Sequence, residues 1–204
     1  MHNFLLILNL ILFYLIFFGR TFLLARQGVK VIVVDEGLKY KSKVQAILEK
    51  LAIPFLIIYG AVIFLFSIEF KIISINFINL SIINFYSIYR IFSITGLTFT
   101  YLAIIIFVLA LYYFDNSWRV GIDNQNQGEL ITNGIFKFSR NPVFLSMNLF
   151  FIGVFLVFPN ILFLLVTIAL LVAIHRIILN EEKHLLKHYG EDYIKYQKQT
   201  NRYF

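Results

Sequence analysis

Five stretches of this sequence are apolar over most of the length that a helix needs to cross a bilayer, about 20 residues for about 30 Å of hydrocarbon. The first runs from Phe4 to Phe18, or on to Ala25, interrupted by Asn9 and the Gly19-Arg20 pair. The second is Leu51–Ile68 and the third Ile91–Phe114. The fourth, from Pro142 to Phe158, opens on a proline, which suits the first turn of a helix. A Pro159-Asn160 turn signal then leads into the fifth, Ile161–Ile174, so the last two form a tight helical hairpin. Composition agrees: 60% of the 204 residues are hydrophobic and 14% charged, against about 45–50% and about 25% in soluble domains. A chain of this size buries only about 70% of its surface, so a soluble enzyme is excluded, and so is a disordered chain. The expected fold is an all-α integral membrane protein with five transmembrane helices, a C-terminal helical hairpin and a cytosolic amphipathic tail helix. The segment Phe70–Tyr89 is apolar but rich in Asn, Ser and β-branched residues. It is expected to be interfacial or partly re-entrant, with a sixth span as the competing reading.

Basic residues set the expected sidedness. Between the first two spans lie Arg20, Arg26, Lys30, Lys39, Lys41, Lys43 and Lys50, and between the next two Lys71 and Arg90. The polar stretch before the hairpin carries Arg119, Lys137 and Arg140, and its turn carries none. The tail holds Arg176, Lys183, Lys187, Lys195, Lys198 and Arg202. Alternation across five spans places sixteen of these on one face and two on the other. The positive-inside rule then puts the N-terminus outside and the C-terminus in the cytosol, at the inner membrane if the source is bacterial. A sixth span would move the seven-charge connection away from the tail and lose that asymmetry. The net charge of +7 is accounted for by anionic lipid at that face, and no nucleic-acid partner is expected. The first span lacks a cationic leader and a small-residue cleavage site, so it is expected to be retained.

The chain has no cysteine, and His2, His175, His184 and His188 are too scattered for a metal cluster. Residues 1–114 are expected to hold three spans, the basic cytosolic loop and the interfacial segment; residues 115–204 hold the polar groups. Two polar segments stand out, Asp115–Pro142 and Ala173–Phe204. In the second, Ile174, Ile177, Ile178, Glu181, Glu182, Leu185 and Leu186 recur at helical spacing up to the Tyr189-Gly190 stop. Antiparallel helices of similar length end at one height, so the hairpin brings Arg140-Asn141-Pro142 close to the stretch His175–Glu182. Ionisable groups at membrane depth are costly and mark functional sites by default. The plain alternative is that Arg140 reaches lipid phosphate and the glutamates form a solvated helix face.

At these residues the sequence resembles a known family. Glu129–Met147 and Asn180–Tyr196 are similar to the integral membrane methyltransferases, the isoprenylcysteine carboxyl methyltransferase and phospholipid N-methyltransferase relatives. Their pattern is L-V-x-x-G-x-(Y/F)-x-x-x-R-(H/N)-P-x-(Y/F)-x-(G/S), a hydrophobic hairpin, then E-E-x-x-L-x-x-x-(Y/F)-G-x-x-Y-x-x-Y. Leu130, Gly134, Phe136, Arg140, Asn141, Pro142 and Phe144 match its first half. Glu181, Glu182, Leu185, Tyr189, Gly190, Tyr193 and Tyr196 match its second. The resemblance covers Ser117–Phe204, with Ser117-Trp118-Arg119 similar to one bacterial subgroup, and spans one to three carry no matched motif. Asn141 and Phe144 stand where the best-known members have His and Tyr, and Ser146 stands for the usual glycine.

The resemblance implies S-adenosyl-L-methionine as methyl donor and a lipid or lipidated acceptor entering from the bilayer. It implies that Glu129, Leu130, Ile131 and Phe136 line the donor pocket and that Asn141, Pro142, Val143 and Phe144 pack on it. Glu181 would bind the adenosine or amino group of the donor. Glu182 would hold a basic partner, with Arg140 its candidate, or orient the site, and these two are the catalytic candidates. Arg176 is the substitute for an arginine that meets the acceptor. An amine acceptor must first lose a proton; Asn141 cannot take it, which leaves Glu181, Glu182, His175 or His184. Both histidines are otherwise interfacial helix residues without a chemical role, and Tyr193 and Tyr196 are packing or interface anchors. Two rival readings are an NADPH-dependent membrane reductase related to sterol reductases and a non-enzymatic membrane scaffold.

Overall fold

Among the described residues the apolar stretches are realised as helix. The computed structural model describes residues 2–28, 43–67, 86–115 and 129–203. They form α1 (His2–Arg26), α2 (Lys43–Ser67), α3 (Tyr86–Phe114), a 3-10 turn (Gly134–Lys137), α4 (Pro142–Val157), α5 (Ile161–Tyr189) and α6 (Glu191–Gln199). No strand occurs among the described residues. Among the described residues three stretches are long and apolar enough to cross a membrane, Phe4–Arg26, Tyr89–Phe114 and Ile161–Tyr189. The apolar parts of the other two expected spans are shorter, Ile53–Ser67 and Pro142–Val157. The 16 residues of α4 rise only about 24 Å at 1.5 Å per residue. Most of the Phe70–Tyr89 segment lies outside the described residues; its last four residues open α3, five positions before the expected start at Ile91.

The boundaries follow from local chemistry. Pro142 sits in the first turn of α4, where its missing N–H costs nothing. Asn160 ends the turn and its side chain accepts from the Phe163 N–H at 3.0 Å, capping α5. The expected fifth span then runs without a break through Glu181-Glu182 to Tyr189. Gly190, at φ +52 and ψ −121, takes a positive-φ conformation open to a residue without a Cβ, and separates α5 from α6.

The packing orders the helices. Gly96 of α3 and Gly153 of α4 bring two backbones together: a Cβ at Gly96 would lie 2.6 Å from the Gly153 carbonyl oxygen. Phe13 of α1 stacks between Phe107 of α3 and Phe150 of α4, with centroids at 5.1 and 4.8 Å. Buried Asn9 donates to Thr100 Oγ at 2.8 Å, tying α1 to α3. The Tyr14 hydroxyl donates to the Leu56 carbonyl, tying α1 to α2. One apolar core thus draws on α1 through α5, while Leu15, Ile58, Ile91 and Leu165 face outward as a lipid-facing belt should. Tyr89 at the start of α3 meets Val157 at the end of α4, and Arg20 near the end of α1 pairs with Asp115 at the end of α3. Helices α1, α3 and α5 therefore run one way, α2 and α4 the other. Arg20, Asp115, Asn141 and Glu182 gather at one end of the bundle.

Candidate functional site

The chain turns sharply before α4. Phe138 and Ser139 donate their N–H groups to Ile135, and Asn141 takes the position where a side chain would normally cap the new helix. It does not cap it. The Asn141 carbonyl starts the helix by accepting from Leu145 N at 2.9 Å, while its amide turns away and donates to Glu182 Oε1 at 3.2 Å and to the Arg202 carbonyl at 3.3 Å.

Glu182 is the centre of this cluster. Its side chain is 6% exposed, that of Arg140 9% and that of Arg202 34%. Arg140 approaches Oε1 through Nη2 at 3.0 Å. Arg202 forks across the carboxylate, with Nε 3.1 Å from each oxygen and Nη2 2.8 Å from Oε2. A planar guanidinium matches a carboxylate in this way, and such charged bonds are about twice as strong as neutral ones. The bond to Glu182 also holds the Arg202 guanidinium above its ordinary pKa. Both Glu182 oxygens are thereby taken up within the protein. Arg140 is equally engaged: its Nη1 donates to the carbonyls of Gln197 at 3.0 Å and Thr200 at 2.7 Å.

The carbonyls that Arg140 reads belong to a strap at the end of the chain. After α6 the chain extends back over the α4 entrance. The Asn201 carbonyl accepts from Arg140 N at 3.0 Å, and the Arg202 carbonyl accepts from Ser139 Oγ at 3.2 Å. Tyr203 reaches α5, its hydroxyl 2.9 Å from His175 Nδ1 with the two rings stacked. A residue read as an interfacial histidine thus has a defined polar partner.

Beside the triad lies an aromatic cluster. Phe136, Tyr193 and Tyr196 are buried together, with Leu130, Ile131, Tyr113, Leu185 and Tyr189 packed around them. Tyr196 donates its hydroxyl to the Phe136 carbonyl at 2.6 Å, and the Tyr113 ring covers Gly134, whose φ of +56 and lack of a Cβ allow the contact. Burial, with the nearby charge of Glu182 adding to it, pushes the Tyr193 phenol up to about 12. Its hydroxyl is buried, near the Gln197 side chain. The expectation that Tyr193 and Tyr196 pack holds for both.

The structure therefore brings together Arg140, Asn141, Pro142 and Glu182, and beside them Leu130, Ile131 and Phe136. Val143 is buried in the bundle core and Phe144 packs half-buried against it. Glu181 is half-buried, one step around α5 from Glu182; Glu129 and Arg176 are exposed. Among the described residues no group of acidic, His or Cys side chains could hold a metal ion. Sequence reasoning missed Arg202, which it counted only as one tail charge. The signal was indirect: a buried carboxylate has two oxygens, and Arg140 saturates one.

No curated protein matches the chain, and no solved structure does. A family model described as phospholipid methyltransferase matches residues 76–192. The match takes in α3, where the sequence offered no recognisable motif, as well as the hairpin and the Glu181-Glu182 pair. It covers more than half of the chain and ends before the strap. A helical bundle with three span-length helices, an Arg-Asn-Pro helix start locked to the second glutamate of a Glu-Glu pair, and this match lead to one conclusion: the chain is an integral membrane protein of the phospholipid methyltransferase family.

Proposed function

We propose that the protein transfers a methyl group from S-adenosyl-L-methionine to a lipid or lipidated acceptor at the cytosolic face of its membrane, with the N-terminus outside. The observation that carries this reading is the locking of Arg140 and Asn141 onto Glu182 across the hairpin mouth, at 3.0 and 3.2 Å. The lock holds in register the two motif halves that the resemblance assigns to the donor.

The residues around the lock suit such a donor. Glu181 is a half-buried carboxylate on the next helical position, able to hold a cationic or hydroxyl group. The aromatic cluster with Leu130 and Ile131 offers an apolar wall for a nucleoside base. S-adenosylmethionine, when bound, supplies an electrophilic methyl carbon on a sulfonium sulfur. The work of the chain is alignment and exclusion of water, which together supply much of the acceleration of such a displacement. In this reading Arg140, Arg202 and Glu182 are positioning residues, because their polar atoms are spent on one another. Glu181, Glu129, Leu130, Ile131 and Phe136 contact the donor, and exposed Arg176 meets the acceptor.

The test is direct. Detergent-purified protein should bind S-adenosylhomocysteine, and membranes supplied with methyl-labelled donor should show label in a lipid or lipoprotein fraction. Glu181→Gln and Arg140→Ala should lose binding or turnover while still inserting in the membrane. Wild-type turnover in both variants removes the site assignment. Binding of NADPH instead selects the reductase, and binding of neither selects the scaffold.

A further inference from the structure

The strap after α6 does more than supply Arg202. Residues 200–203 lie past the family match, which ends at residue 192, and they bridge the mouth of the hairpin from α4 to α5. On the α4 side Arg140 Nη1 donates to the Thr200 carbonyl at 2.7 Å, and Arg140 N donates to the Asn201 carbonyl at 3.0 Å. The Arg202 carbonyl accepts from Ser139 Oγ at 3.2 Å. On the α5 side there are two catches. Arg202 forks onto Glu182, and the Tyr203 hydroxyl meets His175 Nδ1 at 2.9 Å. Glu182 and His175 are seven positions apart, about 10.5 Å along α5, so the strap is fastened at two depths.

That fastening is mostly polar. Thr200 is buried and Tyr203 packs half-buried against the core, but Asn201 is exposed and Arg202 a third exposed. A segment held chiefly by hydrogen bonds recovers little more than the entropy lost in fixing it. Such segments stand at the low-stability end of a fold and open locally while the rest stays intact. Opening here has a defined effect at the lock. It takes the Arg202 fork from Glu182 and removes acceptors from Arg140 and Asn141. The register between the two motif halves therefore loosens when the strap lifts. By linkage, whatever those halves hold favours the closed strap as much as the closed strap favours it.

We propose that residues 200–203 are the closing element of the donor site, with Tyr203 and Arg202 the positioning residues that fasten it. The strap lifts for S-adenosylmethionine to enter and for S-adenosylhomocysteine to leave. Closed, it shuts water out of the mouth while the methyl group moves, as lids over reacting groups do. This inference rests on the methyl-transfer reading. Tyr203 is the more diagnostic catch, because its hydroxyl bonds to His175, outside the lock.

The chain has no cysteine, so a pair of introduced thiols can tether the strap cleanly. In the full chain in neutral detergent, Lys137→Cys and Asn201→Cys are combined and joined with a flexible bis-maleimide. Both positions are exposed, and they flank the bond from Thr200 Oγ to the Lys137 carbonyl. Release of labelled S-adenosylhomocysteine is followed after a chase with unlabelled compound. Before joining, the double variant should release it as the wild type does. After joining, release and uptake should both slow by about tenfold or more. Tyr203→Phe, which keeps the ring and loses the bond to His175, should speed release about fivefold, the worth of one hydrogen bond. Joining the strap in the Tyr203→Phe background should restore slow release, which a general loss of stability would not. Equal rates before and after joining would make the strap a fixed part of the fold and overturn the proposal, as would unaltered release in Tyr203→Phe. Failure of the wild type to bind S-adenosylhomocysteine at all would instead remove the donor reading, and the closing element with it.

Discussion

A carboxylate taken out of water persists only if its oxygens are answered, and Glu182 is answered by two guanidiniums and an amide. Removing one partner of a buried pair costs about 3–5 kcal/mol; in Arg140→Ala the Arg202 fork and Asn141 stay on Glu182, so the loss should lie at the low end, about 3 kcal/mol. Arg202 is a third exposed, so Arg202→Ala should cost less, about 1.5 kcal/mol, and Arg202→Lys should recover only part because an ammonium cannot fork. Thermal unfolding in detergent checks this order, and a greater loss in Arg202→Ala than in Arg140→Ala contradicts it. Tyr193 gives a second handle. Burial raises its phenol to about 12, against about 10 in an unfolded chain. The unfolded state therefore releases this proton first, so the contribution is complete below about pH 10 and lost as pH rises toward 12. The melting temperature should fall across that window, and less steeply in Tyr193→Phe. The Arg140–Glu182 pair was legible in the sequence because both residues sit in motifs that the hairpin brings level. Arg202 was not, because a lone cation in a polar tail looks the same whether it snorkels to lipid or completes a buried triad.

Helices α3 and α4 touch backbone to backbone where Gly96 meets Gly153. Replacing glycine by alanine in a helix interior ordinarily stabilises by about 0.5–1 kcal/mol. Here the added methyl meets a carbonyl oxygen at 2.6 Å on one side and 2.7 Å on the other. Gly96→Ala and Gly153→Ala should therefore each destabilise, by about 1–3 kcal/mol, and a higher melting temperature in either would disprove the contact. The existence and direction of these helices could be read from apolar runs and from the Pro142 and Pro159-Asn160 signals. The contact could not, because two glycines 57 positions apart in different helices leave no periodic trace. Nor did the runs fix length: α5 continues to Tyr189 because its apolar stripe persists on one face after the other becomes polar.

For the molecule as a whole, charge supplies the expected orientation. The basic residues Arg20, Arg140 and Arg202 all fall at the bundle end that the positive-inside count assigns to the cytosol. A reporter fused after Phe204 should accordingly be cytosolic and one before Met1 should lie on the opposite side; the reverse pattern would invert the proposed orientation. The strap carries a last consequence. Arg140, Ser139 and Asn141 recognise the carbonyls of Gln197, Thr200, Asn201 and Arg202, not their side chains. Asn201, exposed, is then free to be respelled, since any amino acid brings the same oxygen. What evolution cannot freely alter there is the number of links between Tyr196 and Arg202, for a single inserted or deleted unit would slide every oxygen off its donor.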